Sequence, residues 1–106
     1  MEGYYADWAV YLKENLELRF VEILEMMMDH FFDKRRYEVA NEYANRLLEI
    51  DNCHQEAHIC LMSSYIKQGK PAQAIRQYQS CSQVFKDELN LSPPSEMAEM
   101  YLEITA

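Results

Sequence analysis

The chain has 106 residues, 49% hydrophobic and 26% charged, with two glycines and three prolines; this balance excludes a disordered segment and suits one helix-rich domain spanning 1–106. Eighteen acidic residues against ten basic ones leave a net charge of −8, which repels a phosphate backbone and excludes direct nucleic-acid contact without a basic stripe. The sole basic run, Lys34-Arg35-Arg36, is three residues long and reads as a solvated corner between helices.

From Asp7 the residues Trp8, Leu12, Leu16, Phe20, Leu24, Met27 and Phe31 recur every three or four positions. That period predicts one long helix over about 7–33. Tyr37, Ala40, Ala44, Leu47 and Ile50 share one side of a second helix over about 36–50, closed by the Asp and Asn turn chemistry of "IDNCHQ". A third helix is expected over about 54–68, with Ala57, Leu61, Ser64 and Tyr65 inward, stopping at Gly69, the residue best suited to a left-handed cap. Pro71 opens a fourth over about 71–90, where a proline in the first turn costs little. No segment alternates with a period of two, so no sheet is expected.

The tail "LSPPSEM" breaks the helical pattern and then restores it. Asn90 can end the fourth helix in a left-handed conformation, Leu91 can fold back on it, and Pro93-Pro94 force an extended connector. Ser95 can then cap a short helix over about 95–104, with Glu96 in its first turn and Met97, Met100, Tyr101 and Ile104 on one apolar face. The expected job of this helix is to close the open side of the helix pairs before it.

Helix pairs invite a search for a repeat. A shift of 34 residues sets Phe31 over Tyr65, Met28 over Met62, Ala40 over Ala74 and Ile50 over Val84, although identity between the halves is low. The second unit, "EAHICLMSSYIKQGKPAQAIRQYQSC", resembles the tetratricopeptide repeat through Leu61, Tyr65, Gly69, Ala74, Tyr78 and Cys81. Small residues at Ala74 and Cys81 let two helices approach, while Tyr65 and Tyr78 fill the groove beside them. The first unit is more degenerate: Leu24, Met27, Phe31, Tyr37 and Ala40 fit, but Arg35 occupies the usual glycine position and Ala44 an aromatic one.

A more specific resemblance covers nearly the whole chain. "YYADWAVYLKENLELRF", "KRRYEVANEYANRLLEID", "EAHICLMSSYIKQGKPAQAIRQYQ" and "FKDELNLSPPSEMAEMYLEI" together resemble the bacterial transcriptional activator domain of antibiotic-regulatory-protein type activators. The Trp-led long helix and the Glu-Leu-x-Leu-x-Pro tail separate this pattern from ordinary tetratricopeptide proteins. Asn90 replaces the expected glycine, and the order Pro94-Ser95 reverses the family's small residue then proline. The resemblance implies an all-α, tetratricopeptide-like, right-handed array of antiparallel helix pairs, about five helices with a C-terminal capping helix. It also implies a regulatory domain that in many members follows a DNA-binding winged helix.

Candidate sites follow from the same helices. In tetratricopeptide units the first helix of each pair lines the concave surface, which here presents Glu22, Glu25, Asp29 and Phe32 from one unit and Glu56, Ile59, Ser63, Ile66 and Lys67 from the next. This mixed acidic and apolar face favours a basic or amphipathic peptide, or is simply solvated; Glu25 and Asp29 stand where a carboxylate clamp would need Lys and Asn. Tyr4, Tyr5, Trp8 and Tyr11 form an aromatic cluster, read first as packing on the second helix and alternatively as a contact for a DNA-binding domain or a second copy. Met26 to Met28 read mainly as core filler.

Chemistry has little to stand on. His54 and His58 are four apart beside Cys53, but a helix start and a packing position account for them without a metal. Cys53, Cys60 and Cys81 are odd in number and lack C-x-x-C spacing, which points to reduced thiols in the cytoplasm. No nucleophile elbow or glycine-rich phosphate loop is present, and the longest nearly apolar run, around Met26 to Phe32, is broken by Asp29 and His30. The sequence thus predicts a non-enzymatic regulatory domain without cofactor or metal, with no membrane or direct nucleic-acid contact. Its partners would be protein: its own DNA-binding domain, a second copy or another regulatory protein. The alternative is a free-standing adaptor that binds a peptide, unrelated to transcription.

Overall fold

The computed structural model describes residues 2–106, with side chains from Asp7 onward. Five helices follow one another: α1 (Glu2–Asp33), α2 (Tyr37–Ile50), α3 (Gln55–Lys67), α4 (Pro71–Leu89) and α5 (Ser95–Thr105). Among the described residues there is no strand. α1 pairs with α2 and α3 with α4, α2 joins the pairs through α3, and α5 rests on α3 and α4. The arrangement is the tetratricopeptide-like array with a capping helix that the sequence implies.

Small residues stand at the crossings. Ala40 and Ala44 of α2, Ala57 of α3, and Ala74 and Cys81 of α4 are fully buried, which brings the backbones close enough for larger neighbours to interlock. Leu24, Met28, Leu47 and Leu61 fill the first cluster, and Met62, Phe85 and Met97 the second. Tyr65 packs against both, so the two pairs share one continuous core.

The internal repeat is plainest in the turns. Arg36 N–H bonds the Phe31 carbonyl at 2.8 Å and Arg35 N–H the Phe32 carbonyl at 3.0 Å; 34 residues on, Lys70 bonds Tyr65 at 2.8 Å and Gly69 bonds Ile66 at 3.0 Å. Both are the same left-handed helix terminator. Arg35 has φ 60 and Gly69 φ 72, so the arginine adopts the glycine's conformation at a local cost of roughly 1–2 kcal/mol.

Several expectations need correction. α1 begins at Glu2, ahead of the expected Asp7, and has 32 residues against 14 in α2. α2 therefore runs back along α1 only to about Val21, and among the described residues the half of α1 before it has no facing helix. Trp8 is 58% and Tyr11 68% exposed, and Leu12, Leu16 and Phe20 are exposed as well. The expected packing of Trp8 and Tyr11 on α2 does not occur, because α2 is too short to reach them; the Tyr4 and Tyr5 side chains lie outside the described residues.

Met28 is core as expected and Met27 is half-buried, but Met26 is 70% exposed, because one position is 100° around the helix from the next. Ile50 and Leu89, read as inward, are half exposed in the last turns of their helices. Leu91 also stays exposed: its N–H reaches the Phe85 carbonyl at 3.2 Å, which fixes the backbone and turns the side chain outward. Asn90 does end α4 with φ 53.

Pro94, not Ser95, is the residue that precedes α5. Its ring holds φ at −54, and its carbonyl accepts from Met97 and Ala98 N–H at 3.0 and 3.2 Å, so helical bonding starts one residue early. Met97 on the inner face of α5 is fully buried, and the Tyr101 ring stacks on Tyr78 of α4 with centroids 4.6 Å apart. Met97→Ala should therefore cost about 2–5 kcal/mol in urea unfolding. Leu102→Ala, on the outer face of the same helix, should stay within about 0.5 kcal/mol. Equal losses for the two would mean that α5 does not cap the core.

Candidate functional site

One face of α3 lines a groove of about 250 Å³ between α1, α3 and α5. Glu56, Ile59 and Ser63 fall at helical spacing along α3, and Asp29 and Phe32 lie one turn apart on α1, so each pair or trio shares a face. α5 supplies the third wall through Glu96 in its first turn. Phe32, Ile59 and Cys60 make the bottom apolar, while Asp29, Glu56 and Glu96 place a carboxylate on each of the three helices. The Ser63 hydroxyl is turned to Met100 Sδ of α5 at 3.4 Å.

Electrostatics follow from this crowding. The Asp29 carboxyl is raised above its ordinary pKa, first by partial burial and then by the like charges of Asp33, Glu25 and Glu56. Among the described residues no Lys or Arg side chain forms an ion pair with Asp29, Glu56 or Glu96; the ion pairs found belong to His54.

His54 precedes Gln55, the first groove-lining residue of α3. Its Nδ1 accepts the Ala57 N–H at 3.1 Å, which caps α3, and its Nε2 lies 2.8 Å from Glu25 Oε1. The tautomer that satisfies both carries its proton on Nε2 and donates it to the carboxylate. Glu25 is thereby held against α3 and does not itself line the groove.

His58 occupies the position of Leu24 in the first repeat and is as deeply buried. Its Nε2 donates to the Asn52 carbonyl at 2.8 Å, and its Nδ1 accepts from the Gln77 amide at 2.8 Å. One ring thus ties the α2–α3 loop to α4, with Phe85 edge-on at 6.0 Å. Burial pushes its pKa below the ordinary value, with the Asn52 bond acting in the opposite direction. All four imidazole nitrogens of His54 and His58 are therefore committed to the protein.

Of the sequence-derived face, the structure brings together Asp29, Phe32, Glu56, Ile59 and Ser63. Glu25 serves His54, Ile66 packs into the α3–α4–α5 core, and Glu22 and Lys67 are exposed outside the groove lining. Gln55, Cys60 and Glu96 were missed. Gln55 and Cys60 lie on the face already chosen and could have been found by extending it one position either way. Glu96 could not, because only the docking of α5 brings it there. Cys60 adds bulk, not reactivity: burial pushes its thiol up to about 12, and Cys81 up to about 11. The Lys34-Arg35-Arg36 run is an exposed turn, with the Arg36 guanidinium 5.9 Å from the Phe31 ring centre.

Residues 2–105 match the family model described as the bacterial transcriptional activator domain. No curated protein and no solved structure matches the chain. No helix among the described residues is long and apolar enough to cross a membrane.

The burial of His58 sets a pH dependence. Above its unfolded value of 6.5 the ring is neutral in both states and its contribution is complete. As pH falls below that value the unfolded chain takes up a proton that the folded chain resists, so stability drops until the depressed folded pKa is reached. Thermal unfolding followed from pH 7 downward should show this loss, and His58→Leu, which restores the residue type of the first repeat, should flatten it. Parallel curves for the two proteins would remove His58 as the cause.

Proposed function

The chain belongs to the bacterial transcriptional activator domain family, the domain of an activator-type transcriptional regulator, and on that premise we propose that it works by protein contact while another part of the regulator binds DNA. The observation that carries this reading is the unpaired half of α1. Trp8, Leu12, Leu16 and Phe20 follow one another at four-residue spacing and stand 58, 40, 57 and 49% exposed. A stripe of large apolar side chains of this kind marks a contact surface, and its spacing suits a helix-bearing partner.

The favoured occupant is the regulator's own DNA-binding region. The family resemblance sets that region before this domain, and the stripe lies on the N-terminal half of α1. A second copy of the chain is the competing occupant. The net charge of −8 and the lack of a basic stripe support DNA contact elsewhere. The non-enzymatic reading is supported by the two buried cysteines, whose thiols are held protonated, and by His54 and His58, both already bonded. The adaptor reading keeps its groove but loses its independence from transcription, since the family is that of an activator domain.

Trp8 is the chain's sole tryptophan, so the surface reports on itself. In the isolated chain its emission should be that of a water-exposed indole, readily quenched by acrylamide. In a longer regulator carrying the DNA-binding region the emission should shift to the blue and be shielded, and Leu16→Glu should reverse both changes. A blue shift with rising concentration of the isolated chain would identify a second copy as the occupant instead. Unchanged emission in both settings would leave the α1 surface without a contact role.

A further inference from the structure

The groove between α1, α3 and α5 is not used by the α1 contact surface. Its bottom is apolar, its rim carries three carboxylates from three different helices, and no Lys or Arg among the described residues pairs with them. A side chain that fills this space must cover Phe32 and Ile59 and also offer donors to Asp29, Glu56 and Glu96. An apolar side chain would satisfy the floor but desolvate the carboxylates without replacing their hydrogen bonds. An anionic one would meet like charge on every wall.

We propose that this groove receives an arginine side chain from a basic segment of a partner protein. The aliphatic stem lies along Phe32 and Ile59, and the guanidinium faces the carboxylates of Asp29, Glu56 and Glu96. Arginine suits the site better than lysine because its planar head carries five donors that can be shared among several carboxylates and can stack on an aromatic ring. Two walls are fixed from outside the groove lining: His54 holds Glu25 at 2.8 Å, and the buried Met97 anchors the first turn of α5, which carries Glu96. The Asp29 carboxyl is raised first by partial burial and then by the like charges of Asp33, Glu25 and Glu56, and an incoming positive charge relieves the second of these.

The inference rests on the protein-contact reading of the domain but not on the α1 surface, and the two fail separately. Leu16→Glu disturbs the stripe around Trp8 and leaves the groove intact, whereas Glu96→Gln does the reverse. The probe is the blocked peptide acetyl-Ala-Leu-Arg-Leu-Ala-amide, titrated into the isotopically labelled chain and followed by amide shifts. Shifts should be confined to the groove around Phe32, Ile59, Ser63 and Met97. The same peptide with citrulline in place of arginine, equal in shape and uncharged, should bind about tenfold more weakly, a difference near 1.4 kcal/mol. Glu96→Gln should weaken the arginine peptide by about threefold to tenfold, and Asp29→Asn, on a different helix, should do the same if Glu96→Gln disturbs α5. Raising salt should weaken binding further. Equal affinity for the citrulline peptide, shifts centred outside the groove, no response at all, or unaltered binding in both variants would each overturn the proposal.

Discussion

Everything in this fold depends on how closely neighbouring helices approach, and that distance is set by five small side chains. Ala40, Ala44, Ala57, Ala74 and Cys81 are fully buried, and a larger residue at any of them would force two backbones apart against their neighbours. Because the backbones are close, single large residues from adjacent helices reach across and interlock: Phe31 stacks on Tyr43 with centroids 5.8 Å apart, and Tyr78 on Tyr101 at 4.6 Å. The groove is a consequence of the same spacing. α1 and α3 do not stand on one another as a pair but flank the same layer of small residues, so a cleft remains between them for α5 to bound.

The second constraint is polar. α3 sits at the centre of the array, and its ends and core are fastened by hydrogen bonds that no apolar pattern signals. His54 caps its start and grips Glu25 of α1; His58 joins the preceding loop to Gln77 of α4; Ser64 bonds Asn41 of α2 inside the core. Such bonds add little net energy each, but leaving any partner unpaired after burial is expensive. They therefore define which packing is allowed, and they keep the groove walls in register even though its contents are solvent-facing carboxylates.

This division explains what the sequence revealed and what it hid. Period and spacing located all five helices, because one buried stripe per helix is a local property of the chain. The repeat was legible through Ala40 and Ala74, and the left-handed Arg35 shows that the turn geometry persists where its glycine has been lost. The apolar stripe of α1 was legible too, but not its environment: the same residues read as core or as contact surface depending on the reach of α2, and reach is a comparison between two helices. Glu96 joined the groove only through tertiary docking. His54 was placed at a helix start from its position, yet its bond to Glu25 joins residues of different helices and had no local signature.

The two surfaces on α1 differ in what holds them. From Trp8 to Asp29 the helix runs about 30 Å, at 1.5 Å per residue. Its far end is clamped by α2 and by the His54–Glu25 bond, so the groove is formed before anything enters it. Its near end has no facing helix among the described residues, and a helix without a packed face draws only on its own propensity and on continuation from the clamped turns. A partner that covers Trp8 and Leu16 therefore supplies the tertiary support which that half of α1 lacks, whereas one that enters the groove meets preformed walls. Order gained at one end of a continuous helix is order its other end already has. Contact at the stripe stiffens the stripe, and the geometry of the groove stays set by α2, α3 and α5.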